Sequence, residues 1–241
     1  ETTAKKKTHP LKTIKTLCRN KYFILITLAF AVIYTSLGLT GGSRIYYAKY
    51  VLGDEMLNST MTMFNYIPTI LTIMLIPVFT KRFGKIKALF VGFLFYAAGL
   101  VLEIAGPVNL PMIYTGLVLQ GIGHAALYSC LFAIVGDVVD YSEWKDGIRE
   151  EGITYSVTSF GQKIGTGLGT AALGWILAAG HYDGTAAVQS ASAIFAIKGL
   201  FLYLPLVITV IVLIIWYLFM GIDKIYPTVR KELDERREKA E

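Results

Sequence analysis

Apolar blocks of membrane-crossing length, separated by short charged or turn-forming segments, constrain this chain more than any other feature. An α-helix rises 1.5 Å per residue, so about 20 apolar residues cross a hydrocarbon core of ~30 Å. Six such blocks run over about residues 22–51, 56–79, 88–105, 112–135, 152–179 and 194–220. Hydrophobic residues make up 54% of the 241 residues and charged ones 17%, against roughly 45–50% and 25% in soluble domains. A bilayer leaves backbone polar groups no water to bond, so segments like these are expected as helices. The reading is an all-α membrane protein with six transmembrane helices.

The charges support that count. Residues 1–21, 81–87, 137–151 and 221–241 fall on one side of a six-span topology and hold 19 of the 23 Lys and Arg residues. The positive-inside bias places both termini of the chain on the cytoplasmic side of the cell membrane. The net charge of +6 therefore reports orientation rather than nucleic-acid binding. The basic stretch 1–21 reads as a cytoplasmic linker from something longer, with Leu11, Ile14 and Leu17 spaced to lie along the membrane surface. The tail 221–241 reads as a frayed cytoplasmic helix. Cys18 and Cys130 have neither metal nor disulfide spacing and read as free thiols.

Several local expectations follow. Gly41-Gly42 is expected to bend or break the first span near its outer end. Asn65, Thr69 and Thr72 share one helix face. With Pro68 and Pro77 they mark a second span packed in protein or lining a cavity. Glu103 lies near the outer end of the third span, within reach of the interface. Two groups of three spans would have opposite topology, which permits an inverted repeat.

Lys163 is the sharpest candidate. It lies ~18 Å along the helix from Glu151, near mid-membrane, where a charge costs at least roughly 2.5–3.5 kcal/mol and faces a partner or an aqueous path. Tyr155, Ser159, Gln162 and Thr166 recur beside it at three- or four-residue spacing. On the opposite side Gly161, Gly165 and Gly169 form a doubled small-xxx-small pattern for close helix packing. A purely structural lysine is the competing reading. On the fourth span Gln120, His124 and Tyr128 form a polar stripe: either hydrogen-bonding helix contacts, or, for Tyr128, a face for sugar stacking. No acid is placed to pair with Lys163, so its partner is expected from a part of the protein outside this chain. No catalytic triad, paired carboxylates, phosphate loop or metal-ligand cluster appears, and no enzyme or cofactor is expected.

Between the fourth and fifth spans lies a knot of both signs: Asp137, Asp140, Glu143, Lys145, Asp146, Arg149, Glu150 and Glu151. With Lys81 and Arg82 of the basic turn on the same side, it reads either as a solvated loop or as ion pairs that make and break at a gate.

The run Gly136-Asp-Val-Val-Asp-Tyr-Ser-Glu-Trp-Lys-Asp-Gly-Ile-Arg-Glu-Glu-Gly152, followed from Tyr155 by Tyr-Ser-x-x-Ser-Phe-x-x-Lys-x-Gly, resembles the glycoside–pentoside–hexuronide:cation symporters of the major facilitator superfamily. Tyr50-x-x-Gly-Asp54 and Lys81-Arg-Phe-Gly-Lys85 extend the resemblance over essentially the whole chain. That family has twelve spans, and this chain resembles the last six with the middle loop attached. The resemblance implies the carboxy-terminal half of a sugar, glycoside or uronide symporter. Its partner is then an amino-terminal six-helix half, which binds most of the coupling Na+ or H+. Lys163, Ser159 and Gln162 match the sugar-facing positions of the eleventh span. Tyr128 falls where melibiose-type carriers have tryptophan. Asp137, Asp140, Arg149 and Glu151 match an inner-gate charge network. Some members have Lys-x-x-His-x-x-Glu in this loop; here it reads Lys145, Ile148, Glu151, so any role of that histidine is absent. Three other readings remain at this point: a half-size transporter acting as a homodimer, a non-transporting membrane sensor or scaffold, and a carrier of other solutes or an exporter.

Overall fold

The structure is a computed structural model that describes residues 17, 19–147 and 149–239. The basic segment 1–16 and Cys18 lie outside the described residues. Among the described residues nine α-helices follow one another: α1 Lys21–Tyr50, α2 Leu57–Ile73, α3 Ile76–Phe83, α4 Lys85–Ala105, α5 Leu110–Asp146, α6 Glu151–Ala179, α7 Ala191–Lys198, α8 Leu204–Phe219 and α9 Gly221–Glu238. A π-helical turn, Gly199–Tyr203, joins α7 to α8. Among the described residues there is no strand.

α1, α4, α5 and the helical run from Ala191 to Glu238 are each long and apolar enough to cross a membrane. α2 and α3 qualify together as one span bent by 55°, giving four or five spanning helices on these grounds. The expected six is reached only by adding α6. It is 29 residues long, but one side of it carries Ser159, Gln162, Lys163, Thr166 and Thr170.

Three local expectations are corrected. Gly41-Gly42 does not break α1, which is continuous from Lys21 to Tyr50. Gly42 instead allows contact with α6: a Cβ there would lie 3.2 Å from Leu173 Cδ1. The break comes in the second span, at Met74–Leu75, with Pro77 in the first turn of α3, a position that needs no N–H donor. The knot is not a loop throughout. α5 runs on to Asp146 and ends on Gly147, whose φ of 66° is the left-handed conformation that closes a helix cheaply with glycine. The tail is not frayed: α9 buries Ile222, Val229 and Leu233.

Backbones approach closely where glycine removes the side chain. A Cβ at Gly165 or Gly169 would strike the carbonyls of Ala31 or Thr35, so α6 lies directly on α1. Gly92 and Gly123 do the same for α4 on α5. Asn65 Nδ2 donates to the Leu117 carbonyl at 3.2 Å and Thr69 Oγ1 to that of Gly121 at 3.0 Å. The second span is thereby fixed to α5 through buried polar groups, as its sequence implies. Two apolar clusters fill the interior. One surrounds Phe30, Trp216 and Phe219 toward the end bearing α9; the other surrounds Tyr47, Leu117 and Phe201 toward the opposite end.

Candidate functional site

The charged end holds a connected network. Lys85 Nζ, at the start of α4, donates to both Asp137 oxygens at 2.7 and 2.9 Å. Arg149, in the α5–α6 connection, donates to Asp140 at 3.0 Å and also meets Glu143 and Glu151. Bidentate and shared guanidinium–carboxylate contacts of this kind are the stronger hydrogen bonds. Burial alone would lower the Arg149 pKa, but its three carboxylate partners outweigh that and raise it, so the guanidinium stays charged.

α9 is fastened onto this network. The Tyr226 hydroxyl donates to Asp140 at 2.9 Å, Arg237 to Glu143 at 3.2 Å, and Trp144 Nε1 to Glu232 at 2.6 Å. Asp223 accepts from the backbone N–H groups of Ile86 and Lys87 at 3.1 and 3.2 Å. It therefore caps the orphan donors at the start of α4 from a distant helix. The approach needs Gly84: its φ is 91°, and a Cβ there would fall 2.6 Å from the Asp223 carboxylate. Burial pushes the Asp223 carboxyl up, and the Lys87 and Ile86 N–H groups pull it partly back.

Of the charges expected here, the structure brings together Asp137, Asp140, Arg149 and Glu151. Among the described residues, no ion pair includes Lys81, Arg82 or Lys145. Arg82 lies 5.3 Å from the Phe83 ring centre and Lys145 5.8 Å from that of Tyr141. Lys85 takes the place expected of Lys81 and Arg82, because it opens α4 beside Asp137. Asp223, Tyr226, Glu232 and Arg237 were not singled out for pairing, and Glu143 only as one member of the knot. Asp223 and Tyr226 carry no pattern signal, since their partners lie more than 80 residues away in sequence.

α6 presents the second group. Its glycine side is occupied by α1. On its other side Lys163 is exposed, and Ser159 and Gln162 are half-buried. Thr166 and Thr170 return their hydroxyls to the carbonyls of Gln162 and Thr166, each at 3.0 Å. Among the described residues, Lys163 makes neither a hydrogen bond nor an ion pair. On α5, the His124 ring lies between Tyr96 and Tyr128, at 4.9 and 5.8 Å between ring centres. Tyr128 is 45% exposed, so an aromatic surface is free.

Gln120, the third member of that stripe, points elsewhere. Its Nε2 donates at 2.7 Å to Glu103 Oε1. Glu103 does not reach the interface: it is completely buried, in a space left by Gly116, where a Cβ would lie 2.6 Å from Glu103 Cγ. Among the described residues its Oε2 has no partner, nor does the buried Nε of Arg44, whose Nη1 donates to Thr62 at 3.1 Å. Distance along a helix gives depth but not direction, and α4 turns Glu103 toward α5. Among the described residues, no group of three or more His, Cys, Asp or Glu could hold a metal ion.

The family profile for MFS/sugar transport proteins matches residues 1–224. The chain belongs to that family. An isoprimeverose transporter of Lactiplantibacillus pentosus is 31% identical over 98% of the chain and 49% of its own length. A glucuronide carrier protein homolog of Escherichia coli (strain K12) is 26% identical over 93% of the chain and 49% of its own length. An uncharacterized symporter, YjmB, of Bacillus subtilis (strain 168) is 26% identical over 92% of the chain and 49% of its own length. The chain thus spans about half the length of these curated relatives. With the motifs at 136–152 and 155–165, these relatives place it among the glycoside–pentoside–hexuronide:cation symporters, as a multi-pass membrane protein of a transporter family and not an enzyme.

Proposed function

We propose that this chain is the carboxy-terminal, six-helix half of a secondary active transporter that moves a sugar, glycoside or uronide together with Na+ or H+ by alternating access. The observation that carries the proposal is α6. One side of it lies bare against α1, and the other offers Lys163, Ser159 and Gln162, the lysine left exposed by the described residues. A spanning-length helix with that polar side belongs beside water and a second bundle, not lipid. Counting α6 as a span gives six, and the distribution of Lys and Arg then supports both chain ends lying on the cytoplasmic side of a cell membrane.

The relatives support the substrate class: one is named for isoprimeverose and one for glucuronide carriage, and a third is named a symporter. Their doubled length supports a partner half that supplies the coupling-cation carboxylates and the counter-charge for Lys163. In this scheme sugar binds between the halves, with Lys163, Ser159, Gln162 and the exposed Tyr128 ring contributing from this side and His124 backing that ring. The network of Asp137, Asp140, Arg149 and Glu151 forms the inner gate of this half. The test is uptake of labelled glycosides and uronides into vesicles holding the complete transporter, under imposed Na+ or H+ gradients. Gradient-dependent accumulation of one of them is expected. No cation-dependent uptake across the panel would favour a sensor or scaffold.

A further inference from the structure

The 55° bend between α2 and α3 opens an apolar groove on the side of the bundle formed by α3, α4 and α5. It is lined by Leu75, Ile76, Phe79, Ala88, Val91 and Phe95, with Thr72, Gly92, Ile122 and Ala126 completing its floor. Helical spacing carries its two walls past its charged end. Leu75 and Phe79 share a face of α3 with Arg82, and Val91 and Phe95 share a face of α4 with Lys87. Each wall therefore ends in a cation, about one helical turn beyond the last apolar residue.

Those cations are exposed, and among the described residues neither is in an ion pair. The two carboxylates that line a second pocket together with Arg82 and Lys87 are already engaged. Asp137 is held by Lys85, and Asp223 by the Ile86 and Lys87 backbone N–H groups. Arg82 and Lys87 thus stand outside any ion pair among the described residues, at the charged ends of the two groove walls. Arg82 and Lys81 were expected at the gate, yet the gate network forms without them.

We propose that this groove seats one anionic phospholipid, with an acyl chain between α3 and α4 and its phosphate between Arg82 and Lys87. Basic pockets between transmembrane helices bind anionic head groups in this way, and a cation near such a surface contributes about five-fold in affinity. A zwitterionic lipid fills the slot equally well but gains little from the cations. Lys81 projects from a different side of α3 and contributes only long-range attraction.

The test is native mass spectrometry of the complete transporter released from nanodiscs holding equal phosphatidylglycerol and phosphatidylcholine. It reads lipid retention and does not depend on any transport activity, so its failure is distinct from failure of the proposed function. Phosphatidylglycerol is expected to be retained in preference. Arg82→Gln and Lys87→Gln should each lower that preference about five-fold, and Lys81→Gln much less. Val91→Trp, which fills the slot at a partly lipid-exposed position, should lower retention while leaving both cations in place. Equal retention of the two lipids would overturn the proposal. So would an Arg82→Gln/Lys87→Gln double variant with unchanged preference. Unchanged retention in Val91→Trp would overturn it too, reducing the effect to diffuse surface charge.

Discussion

Replacing Lys85 by methionine leaves the Asp137 carboxylate without its cation. The Asp137 side chain is 8% exposed and that of Lys85 34%. Removing one partner of a fully buried ion pair costs about 3–5 kcal/mol, because the other charge stays desolvated. Lys85 is a third exposed, which screens the pair, so about 2–3 kcal/mol is expected for Lys85→Met. Asp137→Leu leaves the more exposed partner, which can turn to water, and should cost about 1 kcal/mol. Lys85→Met/Asp137→Leu buries no unpaired charge and should be about 2 kcal/mol less damaging than the two single costs added. The assay is a double-mutant cycle on the complete transporter, from reversible denaturant unfolding in detergent. Single costs that add to within about 0.5 kcal/mol would refute the pairing.

Three further outcomes follow from the same contacts. Asp223→Ala should release the start of α4, cost about 1 kcal/mol, and hasten tryptic cleavage at Arg230 and Lys231. Asp223→Asn should match the parent in acid, where the carboxyl is protonated, since its amide oxygen still accepts. Burial raises the Asp223 carboxyl, so its stabilising contribution is full below its ordinary value and is lost as pH rises through the folded one; thermal midpoints of the parent and Asp223→Asn should diverge over that window. Gly169→Val drives a Cβ into the Thr35 carbonyl and should lower the thermal midpoint by an overpacking cost of about 1–3 kcal/mol, whereas Gly167→Val, with nothing within 4 Å of its Cβ, should not. Asp140→Arg/Arg149→Asp should transport faster than either single variant but slower than the parent. Tyr226 and the remaining carboxylates are set for the original signs; a double variant no better than the singles would show that the pair does not act as a gate.

Much of this arrangement was legible from residue pattern because it is local. Apolar length located the helices. The four-residue spacing of Gly161, Gly165 and Gly169 identified the side of α6 that meets α1, and so the side on which Lys163 is left open. The misreadings all concern direction or distant partners. Gly41-Gly42 resembles a break, but a paired glycine is equally a contact site once Leu173 is beside it. Glu103 lies within a turn of a helix end, and only the facing Gln120 shows that it turns inward. The tail is mostly charged, and its sparse Val229 and Leu233 do not announce that Asp223, Tyr226 and Arg237 reach α4 and α5. Lys81 and Lys85 are indistinguishable in composition. Their roles separate only because one opens α4 beside Asp137.

The central claim is that Lys163 faces an aqueous substrate path. Its most direct test is Lys163→Cys in the complete transporter, with the chain's two cysteines replaced, reacted with a membrane-impermeant maleimide. The account predicts rapid labelling, slowed several-fold by saturating transported sugar, while Thr158→Cys, buried on the glycine side of the same helix, stays unlabelled. A Lys163→Cys thiol that a water-soluble reagent cannot reach, or that sugar does not protect, would contradict it.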